Sequence, residues 1–184
     1  LLLSSIIYSD LGDRYKALDN LQFIRNSSSD DTSSIFLALA ADVYSKFGET
    51  VKAVDLYQDS LALSTVDEVS GNSFIALVGL GELYENQGLT DVAIVYYKEA
   101  INDIEKVRTN IKSLSVDIQS SFINNTTLFD RTPISEVYRN LADLLLSQQR
   151  IPEAQQVLEL LKVEEIATFT RSDVNLTVPG NVGF

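Results

Sequence analysis

The sequence predicts an all-α fold in which about four helical hairpins stack into a right-handed superhelix. One observation is a pattern of an aromatic residue, a glycine four positions later, a small residue five further on and a large residue four after that. A period of about 34 residues with this pattern is typical of stacked helical hairpins. A second observation is the hydrophobic content of 45%, which is ample for a folded core. The pattern occurs in Tyr44–Gly48–Ala53–Tyr57 and Tyr84–Gly88–Ala93–Tyr97, and more loosely in Tyr8–Gly12–Ala17–Leu21.

The first two predicted hairpins span about residues 1–26 and 34–64. Each has a glycine, Gly12 or Gly48, in the turn between its helices, and a polar stretch rich in helix-capping residues separates the two hairpins. In the second hairpin, Thr50 is predicted to cap the second helix.

The third predicted hairpin, about residues 73–122, ends in an elongated helix that begins at Thr90. Serine favours caps over helix interiors, so Ser113 and Ser115 are positions where we expect a kink or a restart. The apolar stripe of this helix has two interpretations, a core element against the fourth hairpin or an exposed dimerisation or docking face. The stripe consists of Ile94, Tyr97, Ile101, Ile104, Ile111, Leu114, Ile118 and Phe122.

The fourth predicted hairpin, about residues 134–163, follows Pro133 and has Gln149 where the other turns have glycine. A left-handed glutamine there would be strained unless the loop differs. The tail, residues 168–184, shows no helical period and is predicted to be extended or a linker. We therefore predict one repeat domain over residues 1–167.

Small residues recur where the two helices of a hairpin should cross, so that the helices can approach closely. Gly79 and Gly81 lie inside a predicted helix without a preceding strand, which indicates close helix packing rather than a nucleotide loop. The small pairs are Ala41 with Ala53, Gly81 with Ala93, and Ala142 with Ala154. The large residues predicted to fill the core are Leu37, Tyr44, Tyr57, Leu77, Tyr84, Tyr97, Tyr138, Leu145 and Leu158.

Composition disfavours several classes of function. The formal net charge of −12 argues against nucleic acid or an anionic membrane as a partner. The sequence contains no cysteine and no histidine, which excludes thiol and imidazole chemistry from its own residues. No apolar run approaches the ~18 residues of a membrane span. We expect a non-catalytic cytoplasmic protein without metal or cofactor, and we interpret the start, which lacks methionine, as an excised fragment.

The repeated positions resemble the tetratricopeptide repeat (TPR), whose pattern places small, aromatic, glycine and alanine residues at these spacings. The second and third hairpins match well, the fourth fairly and the first in part. The third also has Ala100 at the final small position, where the second has Ser60. The resemblance implies a TPR-like superhelix that binds a protein or peptide.

A narrower resemblance covers about residues 90–166. The segments 97–108 and 138–162 are similar to the repeats that precede a CHAT domain, a caspase-like peptidase module, in bacterial and especially cyanobacterial proteins. This resemblance implies that the chain is the recruiting or regulatory arm of a larger CHAT-domain protein. It carries over no catalytic residue.

The first helices of TPR hairpins line a concave groove, and acidic residues dominate the positions that map to it here. An acidic groove suits a basic or mixed-charge protein segment, although ordinary solvated surface is an equal alternative. Cationic side chains are too scattered for a clamp on a peptide carboxylate. The predicted partner-binding residues are Asp42, Lys46, Glu82, Glu85, Asn86, Arg139, Asn140 and Asp143, with Asp10 near the same face.

We expect a protein-interaction scaffold, and two rival functions remain open. One is a structural or oligomerisation module that forms a homodimer through the long helix at 90–122. The other is a hydrolase that uses carboxylates, which would require converging acids with raised pKa values.

Overall fold

A computed structural model describes residues 2–27, 33–64, 73–111 and 132–162. The described residues form α-helices, which short turns pair within each hairpin, and none of these residues lies in a strand. The predicted all-α fold is therefore confirmed. The chain divides into two compact units, Leu1–Thr109 and Asn110–Phe184.

Three helical hairpins make up the described part of the first unit. Helix α3 packs against its own partner α4 and against both helices of the preceding hairpin, and α5 packs against α3 and α4. Each hairpin is thus covered by its neighbour, which is the arrangement that a repeat stack requires. The helices are α1 (Leu2–Asp10), α2 (Arg14–Ser27), α3 (Ser34–Lys46), α4 (Thr50–Ser64), α5 (Ser73–Asn86) and α6 (Thr90–Ile111).

The second unit contains a helical hairpin formed by α7 (Ile134–Ser147) and α8 (151–162). The two helices are joined by a short turn, and their buried residues recur at helical spacing. The predicted crossing residues Ala142 and Ala154 are both buried. The other buried positions are Ile134, Val137, Tyr138, Leu141, Leu145, Val157 and Leu161.

The turns explain why an aromatic residue and a glycine recur four positions apart. In the second hairpin, the Glu49 N–H donates to the Tyr44 carbonyl at 2.9 Å and the Gly48 N–H donates to the Ser45 carbonyl at 2.9 Å. This pair of bonds is the Schellman motif, which places the glycine in the left-handed conformation just past the helix. Gly48 accordingly has φ +74°. The turns at Gly12 and Gly88 have the same two hydrogen bonds. The four-residue spacing between aromatic residue and glycine therefore marks where the first helix of each hairpin ends.

The same tyrosine is covered by the second helix of its own hairpin. Lys16 lies over the Tyr8 ring at 5.0 Å, and Lys52 lies over the Tyr44 ring at 5.4 Å. In the third hairpin, Tyr96 stacks on Tyr84 instead, with ring centroids 5.4 Å apart. Cation–π and stacking contacts of this kind each stabilise by roughly 0.5–1.5 kcal/mol.

The fourth turn has the same geometry without a glycine. Gln149 adopts φ +59°, and the Arg150 N–H donates to the Leu145 carbonyl at 2.8 Å. The loop therefore does not differ from the glycine turns, and the glutamine carries the left-handed strain that the sequence predicts.

We expect Gln149→Gly to raise the free energy of unfolding by about 0.5–1 kcal/mol, because glycine removes the strain of the left-handed backbone but loses more entropy on folding. Urea unfolding followed by circular dichroism would measure the change. The opposite substitution, Gly48→Ala, serves as the control and should lower stability. A lower urea midpoint for Gln149→Gly would contradict this account.

Two glycines of α5 let buried tyrosines approach its backbone. A Cβ atom at Gly79 would lie 2.4 Å from Cζ of Tyr57, and one at Gly81 would lie 2.9 Å from Cδ1 of Tyr97. Tyr57 belongs to α4 and Tyr97 to α6, so α5 is contacted by a tyrosine from each side. The prediction that these glycines permit close packing is confirmed.

The crossing positions of the first hairpin were not predicted. Ser5 and Ala17 are both fully buried, and Ser5 Oγ donates to the Ala17 carbonyl at 2.6 Å. Ser5 precedes Tyr8 by three residues, as Ala41 precedes Tyr44, so the same pattern could have identified it. A buried serine is tolerated here because its hydroxyl is hydrogen-bonded.

The described half of the long apolar stripe belongs to the core. Ile94, Tyr97, Ile101 and Ile104 are buried in α6, which at 22 residues is the longest of the named helices. The side chain of Ile111, the stripe positions from Leu114 to Phe122, the predicted kink at Ser113–Ser115 and the tail 168–184 lie outside the described residues.

Three local predictions need correction. Helix α4 begins at Thr50 itself, so Glu49 rather than Thr50 precedes the helix. Pro133 likewise stands just before α7 instead of in its first turn. Leu158 was predicted to fill the core, but it is 41% exposed, and Val157 is buried in its place.

Candidate functional site

The candidate surface in the first unit is one face of the first helices α3 and α5. Asp42 and Lys46 are four residues apart on α3, and Glu82, Glu85 and Asn86 have spacings of three and four on α5. Residues at these spacings share a helix face. Because α3 and α5 pack against each other, the two sets lie on neighbouring helices.

The hydroxyl of Tyr57 is bound by a carboxylate of α3. Its Oη donates to Oδ1 of Asp42 at 2.5 Å. Burial, and then the nearby charge of Glu82, raise the pKa of Tyr57 well above its ordinary value. The phenol therefore stays protonated, donates to one carboxylate and lies within electrostatic range of the second. Asp42 thus accepts a hydrogen bond from a side chain whose ring is in the core, and the charge of Glu82 acts on the same hydroxyl.

The next hairpin repeats this arrangement with a different acid. Tyr97 Oη donates to Oε2 of Glu85 at 2.7 Å, and the Tyr97 ring is fully buried. Asn86, one residue later, is exposed. The positions of the acids follow from the repeat pattern, but the hydrogen bonds by which the pattern tyrosines hold two of them are not among the sequence predictions. The signal was available, because a tyrosine buried through its ring needs a hydrogen-bond partner for its hydroxyl.

Lys46 is engaged by the first hairpin. Its Nζ lies 2.6 Å from Oδ1 of Asp10, in an ion pair with both side chains about half exposed. A second ion pair, Arg14 with Glu49 at 2.5 Å, also joins the first hairpin to the second. Exposed pairs of this kind each contribute roughly 0–1 kcal/mol. The charge of Asp10 offsets that of Lys46. Asp42, Glu82 and Glu85 therefore give this face a net negative charge.

The remaining predicted residues lie on α7 in the second unit. Arg139 makes an ion pair with Glu136 at 3.1 Å, and Asp143 is exposed four residues further on, on the same helix face. Asn140 is half-buried on the same helix. That these three residues share one groove with the acids of α3 and α5 stays a prediction.

The described residues lack two other kinds of feature, a metal-binding cluster and a membrane-spanning helix. Within 2–27, 33–64, 73–111 and 132–162, no cluster of three or more histidine, cysteine, aspartate and glutamate side chains could hold a metal ion. In that part of the chain, no helix has the length and apolar character needed to cross a membrane.

The family model of the tetratricopeptide repeat matches residues 75–102. The match runs from α5 into α6 and includes the Schellman turn at Gly88 and both tyrosines of the third hairpin's pattern. A TPR is therefore confirmed in this segment, and the all-helical hairpins around it fit a TPR-like repeat fold. A search of the curated proteins found none that matches the chain.

Proposed function

We propose that this chain is a non-catalytic protein-interaction module that binds a basic or mixed-charge protein segment on the face of α3 and α5. TPR proteins generally bind other proteins, and stacked hairpins offer an extended surface for this purpose. The observation that carries the proposal is the set of half-buried acids on this face, Asp42 on α3 with Glu82 and Glu85 on α5. Two of them, Asp42 and Glu85, are held by tyrosine hydroxyls.

The charge and rigidity of this face support a cationic partner. Asp42, Glu82 and Glu85 are half-buried, so water screens their charges less than those of fully exposed side chains. Asp42 and Glu85 each accept a hydrogen bond from a tyrosine whose ring is fixed in the core. Because these carboxylates are already held in place, a partner that binds them causes little further loss of side-chain entropy. Positively charged groups on the partner would also be attracted to the carboxylates.

The test is a double charge reversal, Glu82→Lys with Glu85→Lys. The probe is a panel of fluorescein-labelled peptides rich in lysine and arginine, with acidic peptides of the same length for comparison, titrated by fluorescence anisotropy. We expect the double variant to bind the basic peptides at least about tenfold more weakly, because two attractive contacts become repulsive. Circular dichroism would verify that helicity is unchanged.

The matched control is Asp59→Lys with Glu99→Lys, which makes the same change in net charge at exposed positions of α4 and α6. We expect this control to keep the affinity of the native chain to within about twofold, because screening weakens the field of distant exposed charges. An equal loss in both double variants would mean that the peptides respond to net charge alone. That result would contradict the assignment of the α3–α5 face.

We further propose that the module is the recruiting or regulatory arm of a larger CHAT-domain protein. Support comes from the similarity of segments 97–108 and 138–162 to the repeats of that bacterial subgroup. Partner binding would then bias the position of the peptidase through the segment 168–184. The full-length gene product tests this directly: a following domain without a histidine and cysteine pair would contradict it.

The alternative proposal, oligomerisation through the helix at 90–122, now depends on fewer residues. Ile94, Tyr97, Ile101 and Ile104 of α6 are buried, so these positions are not available to a second molecule. A dimer of this kind would need Ile111, Leu114, Ile118 and Phe122.

A further inference from the structure

A group of apolar side chains is exposed near the start of α6. Leu89, just before the helix, is 46% exposed, Val92 is 38% exposed and Val95 is 54% exposed. Tyr96 is half-buried and stacks on Tyr84. Spacings of three and four residues place these side chains along one face of the helix. We call Leu89, Val92, Val95 and Tyr96 the α6 patch.

The other three hairpins have an ion pair where this patch begins. Leu89 and Val92 occupy the first and fourth positions after the turn residue Gly88. At the same two positions, each of the other hairpins has opposite charges that pair across one helical turn. The fold therefore accepts a charged pair there, and an apolar pair is not a requirement of the hairpin. The ion pairs, with their nitrogen–oxygen distances, are Asp13 with Lys16 at 2.9 Å, Glu49 with Lys52 at 3.2 Å, and Arg150 with Glu153 at 2.7 Å.

The seventh position after the turn shows the same contrast. Val95 stands there in α6, whereas α2, α4 and α8 have an exposed polar residue. Single exposed apolar residues are ordinary on a protein surface, but a contiguous apolar group is typical of a surface that binds a partner. The residues equivalent to Val95 are Asp19, Asp55 and Gln156.

The charged residues beside the patch are acidic. From Glu82 to Val95 the sequence contains three carboxylates and no lysine or arginine. One of these carboxylates, Asp91, is exposed between Leu89 and Val92. A contact between two copies of this face would bring like charges together, whereas a partner with cationic side chains would be attracted to it. The charge therefore favours a basic partner over a second copy of this chain.

The backbone of α6 limits the kind of contact that can form. Along the helix, N–H and C=O groups are bonded to one another, so an extended peptide cannot add to α6 as a strand adds to the edge of a sheet. Side chains must form the contact. A partner helix presents apolar side chains at the same spacings of three and four residues, so that the two rows can interlock.

We propose that the α6 patch docks an amphipathic helix of a partner protein. The apolar stripe of that helix covers Leu89, Val92, Val95 and Tyr96, and a lysine or arginine at the edge of the stripe lies beside Asp91. These residues differ from those of the acidic face on α3 and α5. The inference therefore does not rest on the function proposed for that face.

The test uses the full chain and a fluorescein-labelled helical peptide of about 20 residues, with leucines in one stripe and lysines at its edges. Fluorescence anisotropy measures its affinity. One comparison peptide has the same composition in scrambled order, and a second has glutamates in place of the lysines. We expect the native chain to bind the lysine peptide at least about tenfold more tightly than either comparison peptide.

The decisive variant is Leu89→Glu with Val92→Lys, which installs the ion pair of the second hairpin without changing the net charge. We expect it to keep the native helicity by circular dichroism and to bind the lysine peptide at least about tenfold more weakly. Val95→Gln, which introduces the residue of α8 at this position, should weaken binding independently. Asp91→Lys should reverse the preference between the lysine and glutamate peptides, which a purely apolar contact would not do.

The matched control is Leu11→Glu with Tyr15→Lys, which places the same charges at exposed apolar positions of the first hairpin. We expect it to keep the native affinity to within about twofold. An equal loss in this control would overturn the proposal. Equal affinity of the native chain for the scrambled peptide, or full affinity in the Leu89→Glu and Val92→Lys variant, would also overturn it.

Two further outcomes would assign the binding elsewhere and overturn the proposal. Loss of the lysine peptide only in Glu82→Lys with Glu85→Lys would place it on the acidic face of α3 and α5. A dimer of the native chain in light scattering that Leu89→Glu with Val92→Lys abolishes would make the patch a contact between copies.

Discussion

Tyr57→Ala is expected to lower the free energy of unfolding by about 3–5 kcal/mol, the usual cost of deleting a buried aromatic side chain. The Tyr57 ring is 2% exposed and lies in a cluster with Ala53 and Leu80. Small neighbours such as Ala53 cannot expand to fill the space that the ring would leave, so a cavity would persist. Removal of the hydroxyl also takes a hydrogen bond from Asp42. Urea unfolding monitored by circular dichroism at several protein concentrations would measure the loss.

Tyr15→Ala is the matched control, because Tyr15 is the same residue type at 79% exposure on α2. We expect it to change stability by no more than about 0.5 kcal/mol. Tyr57→Phe separates the ring from the hydroxyl and should recover most of the loss, since it keeps the ring volume. A cost below about 1 kcal/mol for Tyr57→Ala would show that the ring is not packed as described.

Gly79→Ala is expected to destabilise the protein by about 1–3 kcal/mol, although the same change in an open helix interior stabilises by about 1 kcal/mol. The new Cβ atom would lie 2.4 Å from Cζ and 2.5 Å from Oη of Tyr57. The ring is buried, so it cannot rotate away into solvent, and α5 would have to shift. Thermal and urea unfolding of the single variant would give the sign of the change, which is the decisive quantity.

A double-mutant cycle identifies the cause. In the Tyr57→Ala background the obstructing ring is absent, so Gly79→Ala should become neutral or stabilising. Gly81→Ala provides a graded comparison, because its nearest atom, Cδ1 of Tyr97, is 2.9 Å away and a smaller cost is expected. If Gly79→Ala destabilises equally in both backgrounds, the contact with Tyr57 is not responsible for its effect.

The hairpins could be predicted from sequence because their determinants are local. Tyr44 and Gly48 lie within one Schellman motif, and its two hydrogen bonds fix their spacing whatever surrounds the hairpin. Periodic apolar positions fix the inward face of each helix in the same way. Even the strain at Gln149 followed from the absence of glycine at one position of the pattern.

The candidate site could be predicted only in part, because its geometry depends on non-local contacts. The acids were identified from their positions on first helices, but the tyrosine hydroxyls that hold Asp42 and Glu85 come from second helices. Leu158 occupies the same position of the pattern as Leu21, yet it is 41% exposed whereas Leu21 is 4% exposed. Helical periodicity describes which face a residue occupies and carries no information on whether a neighbour covers that face.

The contact between Tyr57 and Gly79 has a consequence for how such a chain can evolve. Between the first and second hairpins, Leu21 stands at the position of Tyr57 and Leu39 at the position of Gly79. Two leucines there replace the combination of a large tyrosine ring and a glycine without a side chain. A tandem duplication of residues 34–64 would set a second Tyr57 ring against Leu39, where there is no room for it. The hairpins are therefore not interchangeable modules. Lengthening the array by copying this unit would require coordinated substitutions in two different repeats.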